Sequence, residues 1–485
     1  MSWNKERLKK IYQNKFRDQK LIMVSNRAPY AYSRQDGTVR LTMPASGVAL
    51  SLDSVMQAIG GTWIASSCDE PDQREIICHD ALKLKTQKYP YTIRRIYLNS
   101  DEEQGYYYGF ANQGLWPSCL ASSVSPQFIQ SDWNYYLKVN RKFASAILDE
   151  ATDQGNIIFI QDYHLALLPQ LVKKAAPHLT VCQFWHIPWP SYEVFRTCPW
   201  RREILAGLLG NDLLGFHLPC YCQNFLHAVE KTLGARVDHE KLTITHLGKV
   251  TRVAALPLSI DFQRFASLAS AYHTKARVTE WRNNLNLQGI QVGLGVDRID
   301  YTKGIPERLE ALNIFFQKYP QYLERFSFLQ LGPSSRIHIS EYKNLNNVID
   351  SLVETINQKY ATERWKPIIF FKSCFFQEEL VAFYQLADVM VISSLHDGMN
   401  LVAKEYVASR NEEAGALLLS TFAGAAHELT RAYRINPYNP EEIADIIHLA
   451  LNDPPAEKLS RMLAMRSWIK EHDIYYWAAK FFDLL

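Results

Sequence analysis

The stretch Val296–Arg308, VDRIDYTKGIPER, puts Arg298 and Lys303 on one loop ahead of a helical pattern. Two cations beside helix N-terminal amides can hold a diphosphate and neutralise a departing nucleotide without a metal. They can equally form a solvated loop paired with Asp297, Asp300 and Glu307, and spacing leaves both readings open. A second stretch, Leu395–Val407, LHDGMNLVAKEYV, follows the apolar run DVMVISS. Asp397 stands there at the mouth of a buried strand and can accept hydrogen bonds from sugar hydroxyls. Gly398 allows close approach of backbone to a ligand. The amides around Met399, Asn400 and Leu401 open a helix and can face phosphate or sugar oxygens. If that helix starts after Asp397, Glu405 lies about two turns in and can accept both hydroxyls of a ribose diol. The plainer alternative is an N-capping Asp and a surface Glu.

Other apolar runs also end in polar residues. Asn26 and Arg27 close LIMVSNR, Asp162 and His164 follow IIFIQ, His186 follows VCQFW, and Arg336 follows LQLGPSS. Arg27 and Arg336 fall in different halves of the chain and can clamp one phosphate. Tyr107 and Trp116, in YYYGFANQGLWP, can wall a pocket or simply be core. His217, Cys220, Cys222 and His227 are metal-ligand types, but their spacing fits no common zinc pattern. They read as packing, and no metal site is expected.

The elements that must position these residues alternate. Apolar runs at 21–26, 157–162, 181–187 and 212–216, then at 292–297, 326–332, 367–372, 388–393 and 415–421, are separated by amphipathic helical stretches. This predicts an α/β fold with parallel sheets covered on both faces. Such sheets bind ligands at the carboxyl ends of their strands, where the unusual residues stand. The boundary is placed near Pro257, giving domains over 1–257 and 258–465. The tail 466–485, RSWIKEHDIYYWAAKFFDLL, reads as an aromatic helix that packs back on the first domain. The basic first 20 residues carry Trp3, Leu8, Ile11, Tyr12 and Phe16 near helical spacing, and read as a helix packed on its own domain in preference to one lying on a membrane surface.

A chain of 485 residues suits two cores. A net charge of +3 gives no footprint for nucleic acid. No apolar run reaches membrane-span length, and the N-terminus lacks a signal-peptide core. Eight scattered cysteines form no disulfide framework, so a reducing, cytoplasmic setting is expected. A homo-oligomer is left open.

Taken together, SNR (25–27), YYYGFANQGLWP (106–117), DWNYYLKVN (132–140), QDYHL (161–165), HIPWP (186–190), DRIDYTKGIPER (297–308), PSSR (333–336), DGMNLVAKEYV (397–407), FAGAAHEL (422–429) and NPY (436–438) resemble the trehalose-6-phosphate synthases. These are retaining glycosyltransferases of GT-B architecture, and the resemblance covers nearly the whole chain. It implies two Rossmann-like, doubly wound domains with a cleft between them, an N-terminal acceptor domain and a C-terminal nucleotide-sugar domain. The implied reaction transfers glucose from UDP-glucose to glucose 6-phosphate, giving trehalose 6-phosphate, with no metal or other cofactor. By position, Arg298 and Lys303 would bind the donor diphosphate, with Gly398, Met399, Asn400 and Leu401 beside it. Glu405 would hold the ribose, and Asp397 and His186 would meet the transferred glucose. Gly47, in PASGVAL, would lie in the loop that closes over the donor. Arg27, Tyr107, Trp116, Asp162 and Arg336 would form the acceptor site. The chain departs from the family pattern at Ser46, Ser259 and His396, where Gly, Gly and Arg are usual. Alternatives are another phosphorylated acceptor such as glycerol 3-phosphate, a pseudo-glycosyltransferase, or an inactive regulatory homologue.

Overall fold

A run such as Ile157–Ile160 has no polar position to turn toward water, so it needs cover on both faces. All four residues are fully buried. The computed structural model of the protein describes residues 3–17, 19–35, 38–42, 47–67, 81–83, 91–120, 124–152, 155–336, 338–412 and 414–485. The chain divides into two α/β units, one of residues 3–258 with 474–485, the other of residues 259–473.

The first unit is built on strands β1 (Lys20–Arg27), β4 (Gly61–Ser67), β6 (Tyr91–Tyr97), β7 (Asn156–Gln161), β8 (Thr180–Phe184), β9 (Leu213–Phe216) and β12 (Lys249–Ala255). The short β5 (Ala81–Lys83), β10 (Arg236–Asp238) and β11 (Thr243–His246) complete a sheet of order 10-11-12-9-8-7-1-4-6-5, and β2 (Ala31–Gln35) and β3 (Thr38–Thr42) form a separate hairpin. Strand β1 is parallel to both β4 and β7. The chain first winds one way, to β4 and β6, and then the other way, through β7, β8 and β9. The winding reverses between β1 and β7, which opens a crevice at their carboxyl ends. Helices α1 (Lys5–Phe16), α2 (Gly47–Ile59) and α3 (Gln130–Glu150) belong to this unit. In α1, Asn4 caps the first turn by accepting the Arg7 amide at 2.9 Å, and Leu8 and Tyr12 are buried. A stretch of π-helix over Glu103–Leu115 carries the tyrosine-rich motif. Its Gly105 and Gly109 lie against the side chains of Tyr135 and Asp132 on α3.

The second unit repeats the logic with β13 (Gln291–Val296), β14 (Phe326–Leu331), β15 (Ile368–Phe371), β16 (Val389–Ile392), β17 (Ala416–Ser420) and β18 (Tyr433–Ile435). They form one sheet of order 15-14-13-16-17-18. Each neighbouring pair is parallel, and the winding reverses between β13 and β16. Its helices include α4 (Phe262–Ser270), α5 (Ile305–Lys318), α6 (Ser340–Tyr360), α7 (Gln377–Leu386), α8 (Leu401–Ser409) and α9 (Pro455–Glu471).

The tail, expected as one helix from Arg466, breaks at His472 and Asp473. Residues up to 473 stay with the second unit, and α10 (Ile474–Asp483) packs in the first. There the Phe481 ring stacks on Phe159 of β7 at 4.4 Å, and Trp477 Nε1 donates to the Leu256 carbonyl at 3.1 Å. Helix α1 packs against both α2 and α10.

Candidate active site

Each unit carries a polar constellation at its point of reversal. In the second unit, residues 297–304 follow β13 and residues 393–400 follow β16, so the topology alone brings the two motifs side by side. Lys303 Nζ lies 2.6 Å from Asp397 Oδ2, and both side chains are mostly buried. Asn400 Nδ2 donates to the same oxygen at 3.1 Å, and the Ser394 hydroxyl lies 3.4 Å from it. Burial acts to raise the Asp397 carboxyl, but Lys303 and these donors hold it below its usual range. Burial likewise acts to lower Lys303, and Asp397 and Asp297 outweigh it and hold the ammonium above its usual range. Both groups are therefore charged at neutral pH.

Asp397 is not the helix cap. Asn400 is, in a left-handed conformation (φ 78°), with Oδ1 accepting the Ala403 amide at 3.0 Å. Helix α8 thus starts at Leu401, and Glu405 lies just over one turn in rather than two. Nor is Glu405 on the surface: it is 5% exposed. Its Oε2 accepts the Tyr384 hydroxyl of α7 at 2.8 Å. The backbone on either side of Gly398 is tied to the turn after β17: Gly424 N donates to the Asp397 carbonyl at 3.0 Å and Ala425 N to that of Met399 at 2.6 Å.

Arg298 is half-exposed and pairs with the buried Asp300 at 3.6 Å. Arg336, which has a left-handed backbone (φ 50°), reaches the same Asp300 oxygen at 3.4 Å and the Tyr342 hydroxyl of α6 at 2.6 Å. Burial pushes Asp300 up, but Arg298, Arg336 and Lys303 hold it below the usual carboxylate range. The two arginines are thus joined through one carboxylate in one unit.

Under this surface lies a hub that sequence reasoning missed. Arg308 of α5 is completely buried. Its guanidinium reaches Asp297 Oδ2 at 2.7 Å, Gln330 Oε1 at 2.8 Å and Ser393 Oγ at 3.0 Å, and so ties together the ends of β13, β14 and β16. The Ser393 hydroxyl in turn donates to the Gly304 carbonyl at 2.7 Å, the residue next to Lys303. A Cβ on Gly295 would stand 2.2 Å from Arg308 Nη1, so glycine makes room for the guanidinium. The signal was present: Arg308 sits three residues after Ile305 and four before Leu312, on the core-facing stripe of α5.

In the first unit, Arg27 ends β1 and Asp162 follows β7. The Arg27 guanidinium lies 4.9 Å from the centre of the Tyr107 ring, which stacks on His164 at 5.6 Å. Asp162 is strained (φ 73°), and its Oδ1 accepts the His186 amide at 3.1 Å. Strain of this kind at a strand mouth is often part of a functional site. His186 is buried, with Nε2 2.9 Å from Gln161 Oε1. Burial first, and then His217 and His164, hold its pKa well below the usual value, so the ring is neutral. Trp116 is buried, its ring 5.9 Å from that of Tyr163. Gly47 begins α2, while the departure at Ser46 lies outside the described residues. Ser259 is fully buried.

His217 is tied to the backbone at both ring nitrogens. Its Nε2 is 3.0 Å from the His186 carbonyl, and its Nδ1 is 3.3 Å from the Leu258 amide. Cys222 is buried in α-helix Pro219–Leu233, whereas Cys220 of that helix is exposed. Among the described residues, no three His, Cys, Asp or Glu side chains are grouped to hold a metal ion.

The chain has counterparts among known proteins. The Glycosyltransferase family 20 model matches residues 19–485. A curated trehalose-6-phosphate synthase of Mycobacterium sp. (strain KMS) is 37% identical over 476 residues, covering 96% of this chain and 95% of the relative. The UDP-forming alpha,alpha-trehalose-phosphate synthase of Schizosaccharomyces pombe is 32% identical over 487 residues, covering 99% and 93%. Among solved structures, the E. coli protein bound with UDP-2-fluoro glucose superposes with a TM-score of 0.86 at 31% identity, covering 96% of this chain and 99% of that one. The Burkholderia xenovorans UDP-forming synthase in complex with glucose-6-phosphate gives 0.86 at 29% identity, with the same coverage. The fold is GT-B, and the chain belongs to glycosyltransferase family 20.

Proposed function

We propose that the protein transfers glucose from UDP-glucose to glucose 6-phosphate with retention of configuration, forming trehalose 6-phosphate. The observation that carries this reading is the Lys303–Asp397 pair at the point of reversal of the second unit, with Arg298 on the same loop. It offers cations for a diphosphate beside an ionised acceptor for sugar hydroxyls. In this reading Arg298 and Lys303 hold the diphosphate, with the chain at Gly398, Met399, Asn400 and Leu401 beside it, and Glu405 holds the ribose. Asp397 and His186 contact the glucose, and Gly47 belongs to the closing segment. Arg27, Tyr107, Trp116, Asp162 and Arg336 serve the acceptor. The relatives bound to a UDP-sugar analogue and to glucose 6-phosphate support both ends of the assignment.

Bond making and breaking occur on one face of the sugar. The bond from C1 to the UDP oxygen breaks, the acceptor hydroxyl oxygen bonds to C1, and its proton passes to the leaving phosphate. Arg298 and Lys303 take up the charge that develops there. Asp397 is a poor nucleophile for a double displacement, because Lys303, Asn400 and Ser394 already crowd one of its oxygens and keep it weakly basic. Cations do the work that a metal does elsewhere, so we propose turnover without a divalent ion. A cytoplasmic setting belongs to the same reading, supported by six free thiols among the described residues.

The test is a donor-by-acceptor matrix with product identification. UDP-glucose with glucose 6-phosphate should give trehalose 6-phosphate, undiminished by EDTA. Faster turnover with glycerol 3-phosphate, or restoration by magnesium of activity lost to a chelator, would overturn the corresponding part.

A further inference from the structure

Glu405 needs an explanation that its ligand alone does not supply. A carboxylate that accepts a diol should be ionised and correctly turned before the ligand arrives. Yet this one is buried in α8, and burial pushes its carboxyl up to about 7. Its hydrogen-bond donor among the described residues is the Tyr384 hydroxyl, on the neighbouring helix α7, at 2.8 Å. Tyr384 is itself fully buried. Burial first, and then the Glu405 charge, raise its phenol well above the usual value, so it keeps the proton that it donates to Glu405.

The other charged groups around α8 are directed elsewhere or act from a distance. Arg264 of α4 bears on Glu405 electrostatically, while its Nε donates to Gln377 at 2.7 Å. Lys404, next to Glu405 in the chain, turns to Glu428 at 2.6 Å. Arg466 of α9 donates to the carbonyls of Val407 and Ala408. Asp297, after β13, acts on Tyr384.

We propose that Tyr384 is the positioning residue of the nucleoside site: its buried hydroxyl clamps one oxygen of Glu405, sets the carboxylate for the ribose diol, and makes nucleotide binding proton-linked at this one group. The proposal rests on the reading that Glu405 meets the ribose. Its physical content is a competition. Burial favours the neutral acid, which has lost part of its acceptor capacity. The Tyr384 bond favours the carboxylate, which can accept both ribose hydroxyls. Nucleotide affinity should therefore rise with pH as Glu405 ionises. Without the phenol hydroxyl the rise should come later.

The experiment is calorimetric titration of the whole protein with UDP, and with 2′- and 3′-deoxy-UDP, between pH 5.5 and 9. The UDP terminal phosphate titrates near pH 6, so the slope assigned to Glu405 is the part lost in Glu405→Gln. For Tyr384→Phe the midpoint should move up by about one pH unit. Binding should be about fivefold weaker than wild type near pH 7 and recover at pH 9. A merely structural loss would not recover at high pH. If Glu405→Gln binds UDP as wild type does and the deoxy analogues bind equally well, the ribose assignment itself is wrong. If Glu405→Gln abolishes the preference for ribose while Tyr384→Phe keeps the wild-type midpoint, only the Tyr384 proposal is wrong. Should Tyr384→Phe fail to fold, the wild-type profile decides: the same slope as Glu405→Gln overturns the linkage.

Discussion

Lys303 and Asp397 are 94 residues apart in sequence and 2.6 Å apart in space. Neither is at home there alone. Taking a charge out of water costs several kcal/mol, and the pair recovers this only while both members are present.

Removing both members should therefore cost less than the two single losses added together. Lys303→Met and Asp397→Asn should each lower stability by roughly 3–5 kcal/mol, and the double variant by less than the sum. Chemical denaturation of the four proteins closes the cycle, and additive losses would contradict a coupled pair. Turnover with a nucleotide sugar should fall at least about tenfold to a hundredfold in Lys303→Met and in Arg298→Ala. The pH dependence has a definite sign. Asp397 is held below its ordinary value of 3.8, so its contribution is present above that pH and lost as pH falls through the folded value. Lys303 is held above 10.5, so its contribution is complete below that pH and lost as pH rises through the folded value. The stability gap between wild type and Asp397→Asn should be level through neutrality and close only in strong acid.

Arg308→Lys should be nearly as harmful as Arg308→Ala. The guanidinium serves Asp297, Gln330 and Ser393 from different nitrogens, and a single ammonium cannot reproduce that fork. A loss of roughly 3–5 kcal/mol is expected for the alanine variant, since Asp297 is left buried and unpaired. Urea denaturation measures it, and a loss below about 1 kcal/mol would contradict the hub.

Two glycines with nearly the same backbone angle should behave differently. Gly304 has φ 62° and Gly234 has φ 64°. A Cβ on Gly304 would lie 2.1 Å from the Ser393 carbonyl oxygen, whereas one on Gly234 would meet nothing within 4 Å. Gly234→Ala should cost about 1–2 kcal/mol, the penalty of the left-handed conformation alone. Gly304→Ala should cost clearly more and should also reduce turnover by moving Lys303. Thermal melts and steady-state rates on both variants test this. Equal losses would mean that the loop yields.

The two arginines proposed for the acceptor should also separate. Arg27 leans on Tyr107, whereas Arg336 shares Asp300 with Arg298. Arg27→Ala should raise KM for glucose 6-phosphate, lower kcat, and leave UDP binding unchanged. Arg336→Ala should do the same and also disturb UDP binding, because Asp300 then keeps only Arg298 of its two arginines and draws it from its place. Glucose should be a far poorer acceptor than its phosphate with the wild-type protein. Equal use of glucose would remove both arginines from a phosphate-binding role.

Several elements were legible because fully buried parallel strands leave no polar alternation. IIFI, MVI and LLL announce themselves, and the crevice rule then points to the residues after them. Strand β6, YTIRRIY, was harder. Arg94 reaches Asp149 and Glu150 on α3, and Arg95 is buried, so its charges look like surface in sequence. The start of α8 was misplaced because Asn400, not Asp397, carries the cap and adopts a left-handed angle that Asn tolerates. The Lys303–Asp397 and Tyr384–Glu405 contacts were not legible at all. Both are made across neighbouring elements, and no local spacing encodes such a distance. Arg308 was legible in principle, as a charge on an apolar stripe.

The return of α10 to the first unit has a consequence for synthesis. Phe481 and Phe482 complete the aromatic packing around Phe159, and Phe482 also meets Tyr12 of α1 at 5.2 Å. Strand β7, in the middle of the first sheet, thus waits for a partner made more than three hundred residues later. During translation the second unit can close on itself, as the later-made unit, while the earlier one still exposes an aromatic seam. Domains usually fold in the order in which they leave the ribosome. Here the order is inverted for the last step. A nascent chain stalled before Ile474 should therefore recruit holdase chaperones and precipitate when released, although every residue of its first sheet has already been made.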